Sequence, residues 1–163
     1  DRLESILSHS NFDKETLLAL LLIDDINSHE YFFHKYNVPN DLKENLNLLG
    51  KNFINFKKDK KFFLKDLKKN IYFFGKNHLM ALNILYFSDN KKVKLKDYLD
   101  ILNGIKKLNI PKFSFDGNYL KEKGMKEGAL IGKTLEIIEL EWLDNNFSIS
   151  NERVLKIIEA QNN

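Results

Sequence analysis

Leu42, Leu46, Leu49, Phe53 and Phe56 are spaced four, three, four and three residues apart, which lays one apolar stripe along a single helix face. The same rhythm recurs along most of the chain and restricts its fold more than any other feature. Leu64, Leu67, Ile71 and Phe74 repeat it, with Gly75 placed to end that helix as a left-handed cap. Leu79, Leu82, Leu85 and Tyr86 predict the next helix, broken at Asp89-Asn90. Leu95, Tyr98, Leu102 and Ile105 predict another, stopped by Asn109-Ile-Pro111. Leu17 to Ile23 is apolar all round and is expected to be the most buried helix. No segment sustains period-two alternation, and seven glycines and two prolines punctuate the chain sparsely. The expectation is an all-α protein, a compact multi-helix, bundle-like domain with no β-sheet.

Beyond Pro111 the punctuation changes. Gly124, Gly128 and Gly132 recur every four residues and lead into a stripe of Ile131, Leu135, Ile138 and Trp142. Leu130, Ile137 and Leu140 widen that stripe, so this helix is expected to pack on two sides. Ser150 reads as the N-cap of a last helix carrying Val154, Leu155, Ile157 and Ile158, with Arg153 rather than Glu at the third position. No low-complexity linker interrupts the chain. One α-helical domain over residues 1–163 is expected, with the glycine-rich turn and long helix at 111–150.

Composition removes several classes of function. The longest apolar run, Leu17 to Ile23, stops at Asp24 and Asp25, far short of the roughly eighteen residues a membrane span needs. The absence of cysteine excludes disulfides, zinc-thiolate sites and thiol nucleophiles, and fits a soluble, cytoplasmic protein. The opening at Asp1, with no initiator Met, suggests a piece of something longer. Formal charge is only +3, but Lys57, Lys58, Lys60, Lys61, Lys65, Lys68 and Lys69 crowd one stretch against Asp59 and Asp66. That cluster reads either as a phosphate-contacting surface or as a solvated helix face.

Familiar catalytic constellations are missing. Gly128-Ala-Leu-Ile-Gly132-Lys133-Thr134 looks like a phosphate-binding P-loop, but it holds three residues between the glycines where four are needed. The preceding residues also lack a buried strand. Asp24, Asp25, His29 and Glu30 form the one cluster resembling a metal site, and capping acids at a helix end explain it more simply. There is no Gly-x-Ser-x-Gly elbow, no triad order and no Asp-x-Asp pair for two-metal chemistry. Gly128 at the start of a helix, with Lys133 one turn on, would present first-turn N–H groups to an anion such as an RNA phosphate. The competing reading is that glycines four apart let two helices approach closely, with Gly124 acting only as a C-cap.

Pro111-Lys-Phe-Ser-Phe-Asp-Gly117, then Leu120, Gly124, Gly128, Ile131-Gly132, Leu135 and Trp142, resembles the C-terminal signature of bacterial class II tRNA nucleotidyltransferases (CCA-adding enzymes) and poly(A) polymerases. Leu67 to Gly75 looks like the preceding helical pair of that family. Tyr119, Glu127 and Ala129 depart from its usual Asp, Pro and Pro, and Asn118 from a commonly basic residue. The resemblance implies the α-helical body and tail, which hold the tRNA acceptor arm and elbow by their backbone. An N-terminal catalytic domain, absent here, would add the nucleotides and use Mg with CTP or ATP. A-form duplex is read by shape and phosphate contacts, for which lysines and helix N-termini suffice. RNA-backbone binding is then expected at Lys57, Lys58, Lys60, Lys61, Lys68, Lys69, Lys112, Gly128, Gly132 and Lys133, with no catalytic or metal-binding residue. A helical protein-interaction or dimerisation module, suggested by thirteen Phe and broad apolar faces, is the alternative.

Overall fold

A computed structural model describes residues 4, 12–24, 28–59, 65–126 and 128–162. The described residues form eight helices and no strand. These are α1 (Lys14–Leu22), α2 (Ser28–Lys35), α3 (Asn40–Lys58), α4 (Leu67–Asp89), α5 (Leu95–Lys107), α6 (Gly117–Glu122), α7 (Ala129–Asp144) and α8 (Asn151–Asn162). The all-α expectation holds. The chain divides into two compact units, Asp1–Asn109 and Ile110–Asn163. No compositional linker marks the division, which falls where Asn109-Ile110-Pro111 follows α5.

In the first unit α4 is the central helix, touching α1, α3 and α5. Its consecutive residues Ala81, Leu82, Asn83, Ile84 and Leu85 are all buried, which a helix achieves only when neighbours surround it. Asn83, the polar member of that run, donates to the Tyr98 carbonyl at 3.1 Å. Burying Leu82 or Ile84 contributes about 1.5–3 kcal/mol each. The predicted stripe on α3 lies inward at Leu46, Leu49, Phe53 and Phe56, and Leu42 is half-buried. The expectation for Leu17 to Ile23 is overturned. Thr16, Ala19 and Ile23 are the buried positions there, while Leu17 is 40% and Leu21 81% exposed. Apolar composition on every face makes a helix able to be surrounded; α1 packs on α2, α3 and α4 and leaves Leu21 facing outward.

Gly75 does break its helix, but differently from a cap. Its φ of 80° and ψ of 160° lie in a region open essentially to glycine alone, and the chain bends there and resumes as helix. Beyond the bend, His78 meets Asn52 of α3 through Nε2 at 3.1 Å and stacks on Phe74.

The second unit is built on two helix ends. Asp116 caps α6 by accepting from the Tyr119 amide at 2.9 Å. Six residues later α6 stops in a Schellman motif: the Met125 amide bonds the Leu120 carbonyl, the Gly124 amide bonds the Lys121 carbonyl, and Gly124 takes φ 90°. Leu120 and Met125 are both buried in the same cluster, which supplies the apolar contact this motif favours. Helix α7 ends in the same way. Phe147 donates to the Trp142 carbonyl at 2.8 Å across a left-handed Asn146, and the Phe147 and Trp142 rings meet edge to face at 4.9 Å. Trp142 also touches Phe113, and Phe113 touches Phe115, so the Pro-led segment is fastened by alternate aromatic side chains.

Ser150 caps α8 through the Arg153 amide, as expected. The Arg153 side chain, standing where a capping-box Glu would, instead makes a two-pronged pair with Glu141 of α7 at 2.7 and 2.9 Å. That bond holds the Glu141 carboxyl below its usual range. The expectation that α7 packs on two sides does not hold. Ile138, Trp142 and Leu143 are buried, but Leu130 is 40% and Leu140 53% exposed, because α6 and α8 cover only part of its apolar circumference.

Two predictions follow from this packing. Burial pushes the His78 imidazole down from 6.5 to about 4. Between those values the unfolded chain binds a proton that the folded chain refuses, so stability falls as pH is lowered through that window. Denaturation midpoints at pH 7 and pH 5 should therefore separate more for the native chain than for His78→Gln. The second concerns two glycines that look alike in sequence. Gly124→Ala forces a side chain into left-handed backbone and should destabilise by about 1–2 kcal/mol. Gly132→Ala, with helical backbone and open space around it, should stabilise by about 0.5–1 kcal/mol. Urea titrations followed by Trp142 fluorescence read both.

Candidate functional site

The segment resembling a P-loop is not a loop. Ala129 to Thr134 is the first part of α7, and the Thr134 hydroxyl, fully buried, donates to the Leu130 carbonyl at 2.8 Å. A threonine so placed cannot hold a metal–phosphate complex. What the glycines form instead is a solvent-open groove lined by Gly117 and Lys121 of α6 and by Gly128, Ile131 and Gly132 of α7. Gly117 and Lys121, and likewise Gly128 and Gly132, are four residues apart, so each pair lies on one side of its helix, toward the groove.

These glycines have different reasons for being there. Gly117 sits where a Cβ would stand 3.4 Å from the Ile131 side chain, so the α6–α7 approach uses its smallness. Gly128 takes φ 142° and ψ −173° as the N-cap of α7, backbone that an L-residue rarely adopts. Among the described residues no side chain caps α7 by a hydrogen bond. Gly132 is exposed, helical and clear of any neighbour within 4 Å. Of the two sequence readings, close helix packing therefore applies at Gly117 and C-capping at Gly124, while Gly132 serves neither purpose.

Lys121 lines the groove and was not singled out by sequence; its signal was the four-residue step from Gly117. Lys133 is exposed but outside the groove lining, one residue around the helix from Gly132. Lys112 is exposed too, between the exposed Pro111 and the half-buried Phe113.

The lysine cluster of the first unit does not form one helix face. Lys57 and Lys58 close α3, Lys68 and Lys69 open α4, and Lys60 and Lys61 lie outside the described residues. The residues between Lys57 and Lys69 do not continue either helix unbroken: Asp59 is extended at the end of α3, and Asp66 takes left-handed backbone before α4. Lys57 is half-buried, pairs with Asp89 at 3.1 Å and lies over the Phe53 ring at 5.3 Å. The fold also brings Lys91 and Lys92, from the turn after α4, to a shallow depression beside Lys57, Tyr86 and Asn90. Sequence proximity alone did not link them, since they lie more than thirty residues from Lys57.

Of the four residues resembling a metal site, Glu30 is exposed and the other described ones are not gathered around an ion. Asp24 accepts from the Ser28 amide and hydroxyl at the start of α2, His29 is buried with its ring against Gly50, and Asp25 is outside the described residues. Among the described residues no three His, Cys, Asp or Glu side chains are grouped to share an ion, and no helix is long and apolar enough to cross a membrane. No family model, no curated protein and no solved structure matches this chain.

Proposed function

We propose that this chain holds RNA by its phosphate backbone, as the body and tail of a nucleotidyltransferase that adds CCA or A residues to RNA 3′ ends. The observation that carries the reading is Gly132. A glycine in an exposed helix costs about 0.5–1 kcal/mol relative to alanine, and nothing inside the protein requires it. A partner whose own backbone must come close to α7 does require it. The groove beside it is lined by Lys121 and by the first turn of α7, and ammonium groups and helix N-termini are donor types that suit a phosphate. The glycine signature from Gly117 to Trp142, and its resemblance to the CCA-adding and poly(A) family, support tRNA as the RNA. In this reading catalysis, Mg and CTP or ATP belong to a separate catalytic domain, and the site of action is the cytoplasm.

A second reading, self-association through apolar helix faces, has its own support in the exposure of Leu21, Phe73 and Leu140. Sedimentation at high concentration separates the two, because it predicts an oligomer indifferent to RNA.

The RNA reading predicts weak binding of a tRNA transcript that falls steeply with salt, each neutralised phosphate adding roughly 0.7–0.9 to the slope of log affinity against log salt. Lys121→Ala should lower that slope by about one. Gly132→Ala should weaken binding while raising thermal stability, a combination that loss of fold cannot produce. Anisotropy titrations at two salt concentrations measure all three. Binding insensitive to salt, or equal affinity in both variants, rejects the proposal.

A further inference from the structure

The first unit contains a cavity of about 330 Å³ between α1, α3 and α4 whose charge runs against that of the chain. Lysine and arginine together number 26, yet among the described residues that line the cavity there is neither, while Asp13 and Glu15 at the start of α1 bring two carboxylates. The other titratable group of the wall, His78 of α4, is pushed down from 6.5 to about 4 by burial and is neutral at pH 7. The wall is therefore anionic, and it repels a phosphate-bearing ligand.

Both carboxylates keep acceptor capacity. Asp13 spends one oxygen on the Thr16 amide at 2.7 Å, and Glu15 takes a long 3.4 Å bond from the Asn45 amide. An ionised carboxylate accepts at about four lone-pair positions, so most of them stay open. Aromatic surface lines the same cavity: Phe73 is 57% exposed, and Phe74 stacks on His78 with ring centroids 5.4 Å apart. The bend at Gly75 falls between Phe73-Phe74 and Asn77-His78, which sets the aromatic part of the wall at an angle to the polar part. Leu48, 40% exposed, adds apolar surface from α3.

We infer that this cavity binds a guanidinium group on an aliphatic stem, the chemistry of arginine. A guanidinium is planar, permanently charged and more weakly hydrated than an ammonium, and it stacks on a ring by its face while donating by its edge to carboxylates. Phe73 and Phe74 answer the face, Asp13 and Glu15 the edge, and Leu48 the methylene stem. An ammonium is a strongly hydrated point charge with no flat face to stack. A metal ion fits less well still, because among the described residues no three His, Cys, Asp or Glu side chains are grouped to share one. The volume lies within the range of small-molecule sites.

Arginine amide, lysine amide and citrulline amide form the discriminating set, since citrulline keeps the shape of arginine and replaces its charged head by a neutral urea. Added at millimolar concentration to the full chain, arginine amide should shift the amide resonances of Asn77 and His78 saturably, with lysine amide at least about fivefold weaker and citrulline amide weaker still. Phe73→Ala, at an exposed position, should weaken arginine amide by about fivefold. Glu15→Gln should weaken it by about fivefold or more, with Asp13 left in place because it caps α1. A capped Gly-Arg-Gly peptide binding more tightly than arginine amide identifies a polypeptide as the source of the group, and equal or weaker binding identifies a free guanidine. No saturable shift with arginine amide, an equal response to lysine amide or citrulline amide, or unchanged affinity in Glu15→Gln overturns the inference. Gly132→Ala alters only the groove of the second unit and should leave arginine amide binding unchanged, so the cavity and the groove succeed or fail separately.

Discussion

Positive-φ backbone costs an L-residue about 1–2 kcal/mol, and the second unit uses it twice within five residues, at Gly124 and Gly128. The first ends α6 by closing two carbonyls back on the Met125 and Gly124 amides, and the second sets the direction in which α7 departs. The groove is lined by Gly117 and Lys121 of α6 and by Gly128, Ile131 and Gly132 at the start of α7. Side chains consolidate what the backbone has fixed: Leu120 and Met125 meet Ile138 of α7 and Val154, Ile157 and Ile158 of α8 in the buried cluster.

Electrostatics follow the same order of causes. The protein carries a small net positive charge, and counting lysines is a poor guide to where an anion would settle. Lys57 is neutralised by Asp89 and lies against Phe53, so its ammonium is already engaged within the fold. Lys121 lies beside the start of α7, next to glycines that leave main-chain donors accessible. The first unit adds the opposite polarity, a cavity rimmed by two carboxylates around a neutral imidazole. The glycine-lined groove and the carboxylate-lined cavity thus occupy different parts of the chain, and a single net charge describes neither.

Local patterns were legible in the sequence in proportion to how local their causes are. The α3 stripe of Leu46, Leu49, Phe53 and Phe56 could be read because helical period alone decides which residues share a face. Asp116 and Ser150 are caps with the residue types their geometry prefers, although only Ser150 was read as one. Gly75 was correctly placed as a break, but whether the chain turns away or bends and resumes depends on ψ, which a glycine leaves open. Burial was less legible, because it depends on neighbours from elsewhere in the chain. Leu17 to Ile23 and the residues after Leu79 are comparably apolar and each helix touches three others, yet Ala81 to Leu85 are all buried while Leu21 faces outward. Lys91 and Lys92 were passed over for the same reason: their position beside Lys57 is created by the return of α4 along α3.

Among the positions singled out by the glycine pattern, only one resists an internal explanation. Gly117 gives way to Ile131, Gly124 closes a helix, and Gly128 adopts backbone that a side chain would strain. Gly132 has helical backbone, solvent exposure and empty space where its Cβ would be, so stability alone would favour alanine there. An internal constraint leaves a trace in the fold, either a close neighbour or an unusual dihedral, and Gly132 shows neither. What distinguishes it is position, on the groove wall opposite Lys121 and one turn from the uncapped end of α7. Among the described residues, neither a neighbour nor the backbone of α7 accounts for a glycine at this place.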